Sequence, residues 1–249
     1  MTDAECHVSV DDVFGALVEA SDSGAPLFAH PFFARLNELH DRYGCPIDLY
    51  LFFRGHVDGN LRNLAQVSSR LKRDFDAARW LRLGPHALDY HTAPYAQPAD
   101  ELRAVLVDIY REIDRFAGVG SRSKWLRLHY FSEAFEQASY LDSQGVTTLL
   151  LTDKDAVSYR LPMAQKLELE RRGRVRYADL DLVRSTRRLE HFAAVGASDP
   201  EVLQILTEKL RQEGRLALFT HEHDLAKPRV EELLRLALEL VVGNSHSHN

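Results

Sequence analysis

Short apolar runs alternate with longer amphipathic segments along the whole chain. The short runs are rich in the β-branched and aromatic residues that strands favour, and the longer segments repeat apolar residues every three or four positions. This alternation predicts βα units around a mostly parallel sheet. The seven predicted strands are Cys6 to Val10, Ile47 to Phe53, Trp80 to Leu83, Trp125 to Tyr130, Thr147 to Thr152, Val175 to Leu180 and Leu216 to Thr220.

Three of the amphipathic segments carry clear helix signals. The segment from Pro98 to Phe116 keeps its apolar residues on one stripe, and Pro98 suits a first helical turn. Ser198 and Glu201 have the spacing of a capping box, and Gly214 is placed to end the helix that they start. A last helix is predicted from about Pro228 to Val242.

The length of the chain fits one α/β barrel. The 249 residues are 45% hydrophobic, and barrels of this class use about 250 residues as one domain. No repeat and no long linker divides the sequence. We therefore predict a single (β/α)7-8 barrel over residues 1–243, followed by a disordered tail at 244–249.

Charge and hydropathy exclude several partners. The net charge of −6 argues against a nucleic-acid surface, which needs clustered Lys and Arg. No apolar run approaches the roughly 18 residues of a membrane span. The N-terminus has no basic start followed by an apolar run, and Cys6 and Cys45 are read as a reduced, buried pair. These features predict a cytoplasmic protein with neither a nucleic-acid nor a membrane partner.

Polar residues follow several predicted strands at the point where each strand ends. Because the carboxyl ends of parallel strands meet at one face of a barrel, these side chains are expected to lie close together. Each alone has a structural explanation, such as a helix cap, but their recurrence favours a functional site. The residues are Asp11, Asp12, His86, Arg127, His129, Asp153, His221, Glu222 and His223.

Two adjacent carboxylates with histidines nearby supply ligands for a divalent ion such as zinc. Neighbouring residues at a strand end point in different directions, so one Asp can bind the ion while the other faces its water. An ion lowers the pKa of a bound water towards about 7, and a carboxylate can then take the proton. The pattern predicts a metal-dependent hydrolase.

The first two motifs resemble those of the polysaccharide deacetylase (NodB-homology) family. The family's Thr-Phe-Asp-Asp-Gly is matched by Ser9-Val10-Asp11-Asp12-Val13, which implies that Asp11 is the general base and Asp12 a metal ligand. The family's second motif places two histidines four residues apart, and His86 and His91 are five apart here. The resemblance makes both histidines ligands, either with a bulge in the loop or with Asp89 serving in place of His91.

Two later motifs follow in the family's order. Arg127 stands where the family has an Arg that orients the base, although the prolines after it are missing. Leu218-Phe219-Thr220-His221 is similar to the last motif, which makes His221 the general acid, with His223 as a substitute.

The resemblance implies that the protein removes an acetyl group from an N- or O-acetylated carbohydrate. It also implies one divalent ion, with zinc expected and cobalt, nickel or iron suited to the same ligands. The backbone N–H of Tyr130 is a candidate donor to the oxyanion. The residues expected to bind substrate are Tyr130, Tyr90, His129, His223 and Asp153.

Two other functions stay open on the sequence. One is a different metal-dependent amide hydrolase on a similar barrel, although such enzymes usually carry His-x-His on strand one, and His7 is followed here by Val8-Ser9. The other is a non-catalytic barrel that binds a sugar or a partner protein. The five-residue histidine spacing and the missing prolines are what make this second alternative credible.

Overall fold

The computed structural model describes residues 5–154 and 159–246, and ten strands lie in these ranges. The strands are β1 (Glu5–Val13), β2 (Ile47–Phe52), β3 (Arg54–Val57), β4 (Asn60–Asn63), β5 (Leu81–Ala87), β6 (Trp125–Leu126), β7 (Thr148–Leu151), β8 (Arg174–Tyr177), β9 (Leu180–Arg184) and β10 (Arg215–His221).

Seven of these strands are parallel and follow one another around the barrel in chain order. They form two sheets, β10-β1-β2-β5 and β6-β7-β9, and β8 is added to β9 as an antiparallel strand. A parallel bridge between Leu83 and Arg122 joins the sheets at one seam. At the other seam the amide of Thr186 donates to the carbonyl of Ala217. The predicted α/β barrel with mostly parallel strands is confirmed.

Helices connect these strands and cover the sheet. They are α1 (Gly15–Asp22), α2 (Pro31–Tyr43), α3 (Lys72–Ala77), α4 (Ala99–Phe116), α5 (Ala138–Ser143), α6 (Met163–Arg172), α7 (Leu189–Ala194), α8 (Asp199–Glu213), α9 (Glu222–Leu225) and α10 (Pro228–His246). Within the described part of the chain, no helix is both long enough and apolar enough to cross a bilayer. The cytoplasmic location stays a prediction.

The helix signals in the sequence lie where the structure has helices. The capping box of Ser198 and Glu201 starts α8, and Gly214 ends it with a φ of 71°. The predicted Pro98 to Phe116 helix is α4. The last helix is longer than predicted, because α10 continues to His246, into the predicted tail. Residues 247–249 of that tail lie outside the described residues.

Three predicted strands differ from the structure. The predicted strand Trp80 to Leu83 continues to Ala87 as β5. The segment Val175 to Leu180 contains the turn of a hairpin, because Ala178 adopts a left-handed φ of 48° and ends β8 before β9 begins. The predicted strand from Trp125 ends at Leu126 instead of Tyr130. The chain leaves the sheet there and turns through Tyr130, at a φ of 55°, towards the middle of the barrel.

A buried polar network lies inside the barrel near the start of its strands. Nδ1 of His7 is 3.6 Å from a carboxylate oxygen of Asp48, and Nε2 of His7 is 3.2 Å from the hydroxyl of Tyr50. The other oxygen of Asp48 accepts a 2.6 Å hydrogen bond from Nε of Arg82. The ring of Trp125 stacks on His7 with 4.7 Å between centroids. This network supports the strands beneath the candidate site.

Candidate metal and catalytic site

A bulge at the end of β1 sends Asp11 and Asp12 in different directions. The register between β1 and β2 shifts between Val10 and Val13, and Asp12 has a left-handed φ of 61°. Asp tolerates this conformation better than most residues, and bulges often re-aim side chains next to functional sites. Asp11 remains in register opposite His221 of β10.

Asp12 meets two histidines from two other elements. Oδ1 of Asp12 is 3.0 Å from Nε2 of His86 on β5 and 3.4 Å from Nδ1 of His129, in the loop after β6. The two histidine nitrogens are 3.2 Å apart. One ligand atom of each of the three residues lies within 4.8 Å of the others, and all three side chains are nearly buried.

Each of the two histidines has an inner nitrogen, which faces Asp12, and an outer nitrogen, which faces away from it. The hydrogen bond of the outer nitrogen fixes whether the inner nitrogen carries a proton. Nδ1 of His86 is 2.7 Å from the carbonyl of Arg127, and Nε2 of His129 is 3.0 Å from the carbonyl of Tyr90. Because a carbonyl only accepts hydrogen bonds, each outer nitrogen must carry the proton. In neutral imidazoles the inner nitrogens then point lone pairs at Asp12.

Three acceptors therefore converge on one point, which fits a cation. Oδ1 of Asp12 is buried and has no hydrogen-bond donor among the described residues when both histidines are neutral. In the absence of an ion, an extra proton shared among these groups would relieve the three acceptors. When an imidazole carries that proton, hydrogen bonding with His129 and His86 holds the pKa of Asp12 well below its ordinary value, although burial alone would raise it.

His91 does not lie in this cluster. The prediction that His91 is a metal ligand is therefore corrected. Asp89 folds the chain back after β5, because one of its oxygens accepts from the amides of His91 and Thr92. The other oxygen of Asp89 pairs with Arg54 at 2.8 Å. His91 is consequently exposed and does not line the cavity, and Asp89 does not replace it. His129, predicted to bind substrate, takes the third position.

Asp11 is held by a buried arginine. Nη1 of Arg127 donates to Oδ1 of Asp11 at 2.9 Å and to the hydroxyl of Ser9 at 2.6 Å. Arg127 is only 1% exposed, and its guanidinium lies 4.0 Å from the ring centroid of Phe219. Both Asp11 and Arg127 line the same cavity as the Asp12 cluster. Arg127 therefore holds the Asp11 carboxylate in one orientation, and its role as the arginine that orients the base stays a prediction.

His221 is paired with a carboxylate that the sequence did not single out. Nδ1 of His221 lies 2.5 Å from Oε1 of Glu190, in the first turn of α7. Burial lowers the pKa of His221, but the hydrogen bond with Glu190 and the nearby Asp11 raise it more, so the net shift is upward. In the sequence, Glu190 looks like any acidic residue near a helix start, and only the fold brings it to β10.

A cavity of about 910 Å³ connects these groups, and three half-exposed tyrosines form its rim. Tyr90, Tyr95 and Tyr130 are 57%, 63% and 53% exposed. His129 and His223 also line the cavity, as do Tyr90 and Tyr130, all of which were predicted to bind substrate. Asp153, the fifth predicted residue, does not line it, because its carboxylate turns to Nε of Arg188 at 3.2 Å.

The fold is shared with solved structures of carbohydrate deacetylases. No family model and no curated protein matches the sequence. A proposed polysaccharide deacetylase from Mycobacterium smegmatis superimposes with a TM-score of 0.55 and 13% identity, over 97% of this chain and 86% of that one. The peptidoglycan N-acetylglucosamine deacetylase Bc1960 superimposes with a TM-score of 0.52 and 14% identity, over 96% of this chain and 82% of that one.

A pseudoenzyme also has this fold. BA3943 from Bacillus anthracis, a CE4 family pseudoenzyme, superimposes with a TM-score of 0.54 and 12% identity. The alignment covers 96% of this chain and 61% of BA3943, so the chain spans less than two thirds of that protein. The chain has the fold of the CE4 polysaccharide deacetylases, which confirms the resemblance at the level of the fold. A deacetylase and a pseudoenzyme thus share that fold.

Proposed function

We propose that this protein is a metal-dependent hydrolase that removes an acetyl group from an N- or O-acetylated carbohydrate. The observation that carries the proposal is the convergence of three buried ligand atoms, from Asp12, His86 and His129, in one cavity with Asp11 and His221. The shared deacetylase fold supports the class of substrate. A fold alone does not define a reaction, so the argument depends on this arrangement of side chains.

Asp12, His86 and His129 would hold the ion. A set of two imidazole nitrogens and one carboxylate oxygen with open positions suits zinc, and cobalt, nickel and iron accept the same ligands. The carbonyls of Arg127 and Tyr90 keep both imidazoles in the ligating tautomer. When bound, the ion supplies the Lewis acidity that makes water a nucleophile at neutral pH.

Asp11 is the proposed general base. Its carboxylate is 2% exposed and held at one oxygen by Arg127, which leaves the second oxygen to accept a proton from the attacking water. Arg127 itself acts through Asp11, because its guanidinium is enclosed by Ser9, Ser185 and the ring of Phe219.

His221 is the proposed general acid. Its raised pKa keeps the imidazole protonated closer to neutral pH, and Glu190 occupies Nδ1, so Nε2 is the nitrogen that can protonate the leaving amine or alcohol. The proposed base and the proposed acid lie on neighbouring strands, because β1 carries Asp11 and β10 carries His221.

The rim of the cavity fits a carbohydrate. Sugar rings present C–H faces that stack on aromatic side chains, and Tyr90, Tyr95 and Tyr130 expose more than half of their surface there. We propose that Tyr130 also supplies its backbone N–H to the oxyanion. Its left-handed backbone, at a φ of 55°, is a conformation that concentrates at functional sites.

The test is acetate release by zinc-loaded protein from a panel of N- and O-acetylated oligosaccharides. We expect release by the wild type and by Asp142→Asn, which removes an exposed carboxylate on α5, and none by Asp12→Asn. Sugar binding without acetate release, in protein that holds its zinc, would contradict the proposal and favour the non-catalytic alternative.

A further inference from the structure

A second group of ligand atoms lines the same cavity. Glu190, His221 and Asp224 each place one oxygen or nitrogen within 4.8 Å of the others. Nδ1 of His221 is 2.5 Å from Oε1 of Glu190 and 3.9 Å from Oδ2 of Asp224. This group shares no residue with Asp12, His86 and His129.

One acidic group in this cluster, Glu190, is not fully satisfied by the protein. Oε2 of Glu190 is buried and has no hydrogen-bond partner in the described part of the chain. A buried carboxylate oxygen without a donor is costly, and a cation would relieve it. Asp224 is 5% exposed, and its Oδ2 faces the two imidazoles while Lys227 binds its Oδ1.

A fourth donor is close by. Nε2 of His223 lies 3.2 Å from Oδ2 of Asp224, and the His223 side chain is 66% exposed, so it has room to reorient. Two carboxylate oxygens with two imidazole nitrogens match a four-coordinate zinc site. Two contacts oppose binding: the hydrogen bond from His221 to Glu190 and the ion pair of Lys227 with Asp224.

We propose that Glu190, His221 and Asp224, with His223 as a fourth ligand, form a second divalent-cation site of lower affinity than the Asp12 site. An ion there would displace the hydrogen bond between His221 and Glu190 and occupy the proposed general acid. Excess metal is therefore expected to slow hydrolysis, a consequence that rests on the proposed function. The existence of the second site does not depend on catalysis.

The test counts ions instead of measuring turnover. Full-length chain carrying His246→Gln and His248→Gln, which remove the tail imidazoles, is dialysed against increasing cobalt and analysed for metal per chain. We expect one ion at low cobalt and two at high cobalt. Asp224→Asn and Glu190→Gln in this background should stop at one ion, and Asp142→Asn, the matched exposed control, should still reach two.

Asp12→Asn separates this inference from the proposed function. It should lose the tight ion and keep the weak one. An ion count that stops at one and falls to zero in Asp12→Asn would overturn the second site, as would a second ion that persists in both Asp224→Asn and Glu190→Gln. The weak ion supports the second site if it is still bound in Asp12→Asn and is the ion missing from Glu190→Gln. That result holds even if no acetate is ever released. Circular dichroism confirms that each variant is folded.

Discussion

Asp11 and Asp12 are neighbours in the sequence but face different partners. Because of the bulge between Val10 and Val13, Asp12 contacts the histidines and Asp11 pairs with Arg127. That the two adjacent carboxylates point in different directions could be predicted from the sequence, because adjacent residues at a strand end diverge. The left-handed backbone of Asp12 could not, since it depends on how β1 pairs with β2.

Asp11→Asn tests the proposed base. The amide still accepts a hydrogen bond from Arg127 but cannot take a proton from water, so we expect kcat to fall about 10²- to 10⁴-fold. Metal content should stay at the wild-type level, because Asp11 lies outside the proposed ligand set. Steady-state acetate release and elemental analysis check the two outcomes. Activity within about threefold of the wild type would remove Asp11 from the mechanism.

His129 and His91 make a matched pair for the ligand assignment. His129→Gln removes an inner nitrogen of the cluster, and we expect at least a tenfold weaker affinity for zinc. His91→Gln removes an exposed imidazole and should leave the affinity unchanged. Competition with a chromophoric chelator measures both values. The reverse pattern would restore His91 as a ligand and contradict the assignment of His129.

At the scale of elements, local signals predicted helices better than strands. The stripe of α4 and the caps of α8 are encoded in residues a few positions apart, so the sequence alone identified them. The short β6 and the β8-β9 hairpin depend on left-handed residues, Tyr130 and Ala178, that no local pattern marks. His129 was recognised as a strand-end histidine, but its approach to His86 requires the loop after β6 to fold inwards.

The polar network between β1, β2 and β5 makes a prediction about acid stability. Burial and the charges of Arg127 and Arg82 hold the pKa of His7 well below its ordinary value of 6.5. Below pH 6.5 the unfolded chain therefore binds a proton at His7 that the folded chain does not. The free energy of unfolding should therefore fall, by at most about 1.4 kcal/mol per pH unit from this residue, as the pH drops below 6.5.

Urea unfolding at a series of pH values measures that slope. His7→Gln should remove this part of the acid dependence, whatever it does to stability at neutral pH. His56→Gln, which removes an exposed imidazole on β3, is the control and should keep the wild-type slope. Equal slopes in the wild type and His7→Gln would show that His7 is not the source.

At the scale of the whole molecule, the barrel assembles the site from distant parts of the chain. Seven parallel strands in chain order bring Asp11, His86 and His221 to one cavity, and this convergence followed from the strand-end pattern in the sequence. Glu190 could not be identified in this way, because it reaches His221 from the start of a helix. The position of His91 also depended on folding, since Asp89 turns the chain outwards after β5.

The central claim is a metal site formed by Asp12, His86 and His129, and a crystal structure of cobalt-loaded protein with anomalous scattering tests it most directly. The account predicts an anomalous peak about 2 Å from a carboxylate oxygen of Asp12, Nε2 of His86 and Nδ1 of His129, with His91 remote. A peak ligated by His91, or no peak among these three side chains in cobalt-saturated crystals, would contradict it.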